Sequence, residues 1–421
     1  MNIYYVPKID HLAGIRCYCT DYEGISGCIK QNDTSFRVSE IIDDSFLIDL
    51  SPVQNDTHKF PLYILDKRNI DSNHALFEIK RDLGIRLKIL GIKDSRAITK
   101  QYASSEQTGN VRREAKTRHT LLILKGFTRK PLRKAHLSGN EFTITVNNTK
   151  SFDISDFIPQ IRNIANFYGL QRFGSKRLIT HLVGREIVKR NFKKAIELLL
   201  SHTSEYDSPR TREIREKCRD PKNYSQILKQ LPKGMDIEYE VISALVNGRE
   251  PVAALRSIPI VIRRLFVQAY QAYIFNNCVS VAILDGEDIS VCKEGDLCFE
   301  LEGQLIFGKI RKYDSHKDLT SDVVPAVRLS GYTFQPNKGR FEVITRRLMQ
   351  EETITEKDFY IKEMEELSAP GGFRQVLLWC KDFSYMNSLS LTLHFKLPKG
   401  SYATTLLREL MKPKDPIRSG F

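Results

Sequence analysis

Leu389-Ser390-Leu391-Thr392-Leu393-His394-Phe395-Lys396-Leu397-Pro398-Lys399-Gly400-Ser401 sets apolar residues at 389, 391, 393, 395 and 397 against polar ones between them. That period of two belongs to a half-buried strand, which Pro398 and Gly400 end. Ser401 can cap a last helix whose Ala403, Leu406, Leu407 and Leu410 share one face. The strand has no nearby partner in sequence, so it is expected to return to a sheet built by the N-terminal part. Residues 71–84 read as a helix, with Asp71 and Ser72 as caps, Leu76, Ile79 and Leu83 on one face, and Gly84 at the C-terminal end. Leu87-Lys88-Ile89-Leu90 reads as a strand. A second helix is expected from Ser155, with Phe157, Ile158, Ile161 and Ile164 aligned.

The middle is richer in helix: Ile187–Leu200 and Pro259–Phe275 carry helical apolar spacing. Thr203–Tyr224, with Pro209, Pro221 and few large apolar residues, reads as a surface loop. The fold class is mixed α+β with a helical block in the middle.

The 421 residues carry 65 Lys plus Arg against 51 Asp plus Glu, a net charge of +14. Hydrophobic content of 41% and charged content of 28% exclude a disordered polyampholyte. The N-terminus lacks a secretory apolar core, which points to an intracellular, cytoplasmic protein. The most apolar stretch, 258–275, is interrupted by Arg263 and Arg264 and is too short for a membrane span. The eight cysteines form no C-x-x-C pair, so buried free thiols are expected.

Between Val111 and His136 stand nine basic residues, Arg112, Arg113, Lys116, Arg118, Lys125, Arg129, Lys130, Arg133 and Lys134, against one acid, Glu114. Clustered positive charge repels itself unless an anion neutralises it, and phosphate is the usual anion, so nucleic acid is the expected partner. The alternative is a solvated hairpin whose arginines pair with acids elsewhere.

Gly169-Leu170-Gln171-Arg172-Phe173-Gly174-Ser175-Lys176 nearly spells a P-loop, but Lys and Ser stand in the wrong order and no buried strand precedes it. No G-x-G-x-x-G is present either, so a nucleotide cofactor is not expected. After the 87–90 run, Asp94 stands at a turn within Gly91-Ile92-Lys93-Asp94-Ser95-Arg96-Ala97-Ile98-Thr99-Lys100-Gln101. With a reference pKa near 3.9, such a carboxylate is ionised and can act as nucleophile or base. On spacing alone it can equally be a turn aspartate capping its own backbone.

Five separated blocks, in one order, resemble the TruD family of tRNA pseudouridine synthases. They are Lys30 to Glu40; Gly91 to Gln101; Leu137 to Phe142; Asn166-Phe167-Tyr168-Gly169-Leu170-Gln171-Arg172-Phe173-Gly174; and Leu397 to Leu410. The resemblance implies a cofactor-free isomerase acting on tRNA, in the family typically at the thirteenth nucleotide, in the D-arm. It puts Asp94 on the catalytic aspartate, Lys30 on an active-site basic residue, and Asn166, Tyr168 and Tyr402 on substrate-binding positions. Tyr168 and Tyr402 stand where phenylalanine is common in the family, and their rings are candidates to sandwich a flipped base. Arg172 suits a phosphate contact or an ion pair with a core carboxylate. The resemblance further implies a pseudouridine-synthase core at 1–180 and 372–421, interrupted by an inserted helix-rich α/β domain at 181–371, with RNA in the cleft between them. A monomer without metal is expected. The alternatives are a non-catalytic RNA-binding protein of the same fold, or a glycosylase that would leave an abasic site.

Overall fold

The structure is a computed structural model that describes residues 5–91, 93, 97–106, 109, 111–232, 234–303, 305–316, 323–335 and 338–421. In chain order, strands Phe36–Ile42 (β1), Phe60–Lys67 (β2), Lys88–Ile89 (β3), Ile98–Ser104 (β4), Glu114–Lys116 (β5), Thr120–Thr128 (β6) and Leu137–Val146 (β7) come first. Leu297–Leu301 (β8), Phe307–Lys312 (β9), Val323–Leu329 (β10) and Gly372–Gln375 (β11) make a separate antiparallel sheet, β11-β10-β8-β9. Lys381–Asn387 (β12) and Leu391–Pro398 (β13) close the large sheet, whose order is β12-β13-β7-β1-β4-β2-β6-β5, with β3 paired to β4.

The alternating stretch does return to the N-terminal sheet: β13 runs antiparallel to β7, with Phe395 opposite Phe142. Yet it also has a near neighbour, because β12 pairs with it as a hairpin, Tyr385 opposite Leu393. This edge strand lies mostly in solvent and carries no clean apolar alternation, which hid it. Leu391, Leu393, Phe395 and Leu397 are buried as the period demands, whereas Leu389 lies in the turn, fully exposed.

The 71–84 region forms the helix Ser72–Leu83, capped by the Asp71 carboxylate and ended by Gly84 at φ 72°. The 87–90 strand shrinks to β3. The 155 helix is instead a short 3₁₀ segment, Ile158–Asn163, because Pro159 lacks the N–H that α-helical pairing would use. The 187–200 helix is two, Thr180–Val188 and Phe192–Ser201, broken where Arg190 turns left-handed at φ 60°. The expected loop at 203–224 contains the helix Pro209–Lys217. Ser208 caps it, and the buried Arg215 is paired 3.0 Å from Glu238. Ser401 does not cap the terminal helix Ala403–Met411: Tyr402 holds that position, and the buried Ser401 hydroxyl has no partner among the described residues.

One buried apolar cluster draws on residues from Ile179 to Ala369, and another packs β1, β7 and β13 against the terminal helix. Ile15, Ala165, Phe167 and Leu377 join the helix Ile260–Leu284 in a third. β11, which the expected boundary assigns to the core, is hydrogen-bonded into the small sheet through β10. All eight cysteines are free thiols. Among the described residues no helix is long and apolar enough to cross a membrane.

Candidate active site

Where β7, β1 and β4 meet the start of the terminal helix, an open cavity of about 270 Å³ is walled by Phe36, Val38, Phe142 and Tyr402, with Lys30 and Lys93 as its cations. Parallel pairing of β1 with β4 and antiparallel pairing with β7 set Val38 beside Thr99 and Phe142, so one sheet face supplies the floor. Lys30 reaches over the Phe36 ring, its ammonium 4.9 Å from the centroid. Its backbone is left-handed, φ 56°, which costs a non-glycine residue about 1 kcal/mol or more.

The loop leading to Asp94 is pinned from below. The Gln101 amide donates to the Gly91 carbonyl at 2.7 Å, and the Lys93 N–H donates to the Ser72 hydroxyl at 2.9 Å. The Lys93 ammonium donates to Asn140 Oδ1 at 2.6 Å and stands 3.3 Å from the buried Glu40 carboxylate. Glu40 is itself held by the Tyr102 N–H at 2.9 Å. Asp94 lies outside the described residues. Lys93 and Ala97, the nearest described residues on its two sides, both line the cavity.

Of the other candidate residues, Lys30 and Tyr402 are on the cavity wall. Tyr168 stands behind Tyr402, edge to face, the centroids 6.1 Å apart. The Arg172 Nε donates to the Tyr402 hydroxyl at 3.2 Å, and its guanidinium lies 5.5 Å from the Tyr168 centroid. Among the described residues Arg172 has no carboxylate partner.

Asn166 is not on the cavity wall. It is fully buried, and its side chain is engaged: Oδ1 accepts from Arg374 at 3.0 Å and Nδ2 donates to the Gln375 carbonyl at 3.3 Å. Sequence reasoning missed Arg374, which stands outside all five blocks. Its guanidinium lies 3.8 Å from the Tyr168 centroid and donates to the Asn166 and Gly400 carbonyls, tying Tyr168 to the segment that carries Tyr402. Burial pushes its pKa down, yet a guanidinium keeps its proton. Gln171 and Thr404 were also missed as wall residues. The Thr404 hydroxyl donates to Gln171 Oε1 at 3.2 Å, and both line the cavity.

The nine basic residues of 111–136 are all exposed, on and around β5 and β6. Arg129 pairs with Asp49 at 2.8 Å; the other eight have no ion-pair partner among the described residues. Among the described residues no cluster of side chains has the make-up of a metal site.

A loop pinned through Gly91 and Lys93, a pocket with an aromatic wall, two ammonium groups and an exposed basic surface suit chemistry on a base of a polyanion. The family model for tRNA pseudouridine synthase D (TruD) matches residues 12–410. The chain belongs to the TruD family. A relative named tRNA pseudouridine synthase D from Pyrobaculum islandicum is 31% identical over 425 residues, covering 99% of each chain. Another of that name, from Methanococcoides burtonii, is 31% identical over 437 residues, covering 97% of this chain and 98% of its own. The crystal structure of the TruD protein from Methanosarcina mazei superposes with a TM-score of 0.78 at 29% identity, covering 99% of this chain and 100% of that one. The TruD fold is therefore shared from end to end, mixed α+β in both its sheets and helices.

Proposed function

We propose that this protein isomerises a uridine of tRNA to pseudouridine, with Asp94 as the attacking carboxylate and no nucleotide cofactor. The observation that carries the reading is the family match along 12–410 together with a cavity lined by Lys30, Tyr402 and the residues Lys93 and Ala97 that flank Asp94 in sequence. A base inside folded RNA exposes no glycosidic bond, so the nucleotide is flipped into the cavity at a cost of a few kcal/mol. Stacking on Tyr402, worth about 1–3 kcal/mol, offsets that cost. Tyr168 acts from behind, as a support for Tyr402. Lys30 contributes its ammonium to the cavity as a positive charge. Arg172, half-buried at the rim, and the stripe at 111–136 take phosphates. Asn166 acts through Arg374.

In the isomerisation the N1–C1′ bond breaks and a C5–C1′ bond forms; C5 loses its proton and N1 gains one. The target is a D-arm uridine, the thirteenth nucleotide. The core spans 1–180 and 372–421, with 181–371 inserted, and the enzyme works as a monomer in the cytoplasm. The test is to incubate the protein with tRNA tritiated at uracil C5 and to map the product. Label appears in water and pseudouridine at the thirteenth nucleotide if the reading holds. A protein that binds tRNA and releases no label is the RNA-binding alternative, and free uracil with an abasic site marks a glycosylase.

A further inference from the structure

Gln171 lies where the cavity's aromatic wall turns polar. A point one carbon out from Gly169 is 2.8 Å from Gln171 Oε1, 2.9 Å from Thr404 Oγ1 and 3.1 Å from Tyr402 Cδ1, so the three side chains converge at the edge of the Tyr402 ring. Thr404 occupies the amide oxygen. The amide nitrogen, a donor of two hydrogens, has no protein partner among the described residues and is not sealed from solvent. Gln171 itself lines the cavity. A flat ring stacked on Tyr402 therefore meets a fixed N–H donor at its edge.

We infer that Gln171 reads the base, its amide N–H donating to a carbonyl oxygen of uracil. The inference rests on the reading of this cavity as the uridine pocket. Uracil offers two carbonyl acceptors flanking one N–H, whereas cytosine replaces one carbonyl with an amino donor, which would face the amide donor to donor. When N1–C1′ breaks, the bonding pair stays with the base and spreads onto its carbonyl oxygens. The hydrogen bond then strengthens in the transition state, so its loss falls on kcat rather than KM.

The experiment pairs protein and substrate changes. Single-turnover rates are measured on tRNA carrying uracil, 2-thiouracil or 4-thiouracil at the target, since sulfur is a poor acceptor. Wild type should process one of the two thio-substrates about 5- to 10-fold more slowly than the oxygen substrate. Gln171→Leu should lose about 100-fold in kcat, with KM within threefold and an unchanged melting profile, and should no longer discriminate against that thio-substrate. Thr404→Val keeps the glutamine but frees its amide to turn. It should weaken the same discrimination, and it decides the matter if Gln171→Leu fails to fold. Full thio-discrimination surviving in both variants overturns the inference about Gln171. A wild type that releases no label from the oxygen substrate overturns the pocket reading instead.

Discussion

Gly169→Ala should damage the cavity while leaving the fold in place. The backbone at 169 is extended, φ −70° and ψ 166°, so alanine meets no torsional objection. Its methyl would lie 2.8 Å from Gln171 Oε1, 2.9 Å from Thr404 Oγ1 and 3.1 Å from Tyr402 Cδ1. Ordinary contact distances for carbon are near 3.5 Å or more, so all three must retreat by several tenths of an ångström. Overpacking of this kind costs about 1–3 kcal/mol, which a chain of this size tolerates. All three line the cavity, so the retreat displaces the stacking ring and the proposed base-reading amide together. Misplacement of about 1 Å costs on the order of 100-fold in rate, so a loss of about 10-fold or more in kcat is expected. The assay is tritium release from C5-labelled tRNA under saturation, beside a thermal melt and a tRNA affinity measurement. A variant with wild-type kcat and an intact fold would refute the placement of Gln171, Thr404 and Tyr402 around the reacting base.

Other outcomes follow from the charges. Glu342 is buried with both carboxylate oxygens unpartnered among the described residues, and burial pushes its pKa up to about 6 from 4.5. The folded state therefore holds this proton more tightly than the unfolded chain. The protein loses about 2 kcal/mol of stability as pH rises from about 4.5 to 6. Glu342→Gln should recover that stability at pH 8 and show no gain at pH 4 in denaturant titrations; an equal gain at both would exclude titration as the cause. For the basic stripe, six phosphate contacts at roughly 0.7 each predict a slope of log affinity against log salt near −4. Replacing Arg112, Arg113 and Lys116 with glutamine should flatten it by about 2, and an unchanged slope would remove residues 112–116 from the RNA-binding surface.

Much of the frame was legible because it rests on local rules. Asp71 and Gly84 bracket a helix that the structure reproduces, and the alternation at 391–397 follows from one buried face. What escaped notice depends on partners distant in sequence or on a single backbone constraint. Pro159 turned an apparent helix into a 3₁₀ turn, and Arg190 cut another in two. The same holds at the candidate site. Lys30 and Tyr402 could be picked from their blocks, and they do share a cavity wall. Asn166 also stood out, but its chemistry is spent on Arg374, 208 positions away. No sequence spacing could tell a side chain that touches substrate from one that holds an arginine under an aromatic ring. Gln171 was in view within its block, and only its convergence with Thr404 and Tyr402 sets it apart.

The proposed chemistry turns on one carboxylate. Asp94→Asn, nearly isosteric and uncharged, should be assayed for tritium release from C5-labelled tRNA and, on the same preparation, for tRNA affinity. Binding within a few-fold of wild type is expected, with no released label above background even in an overnight single-turnover reaction. Label released at the wild-type rate would place the catalyst elsewhere and rule out Asp94 as the attacking group.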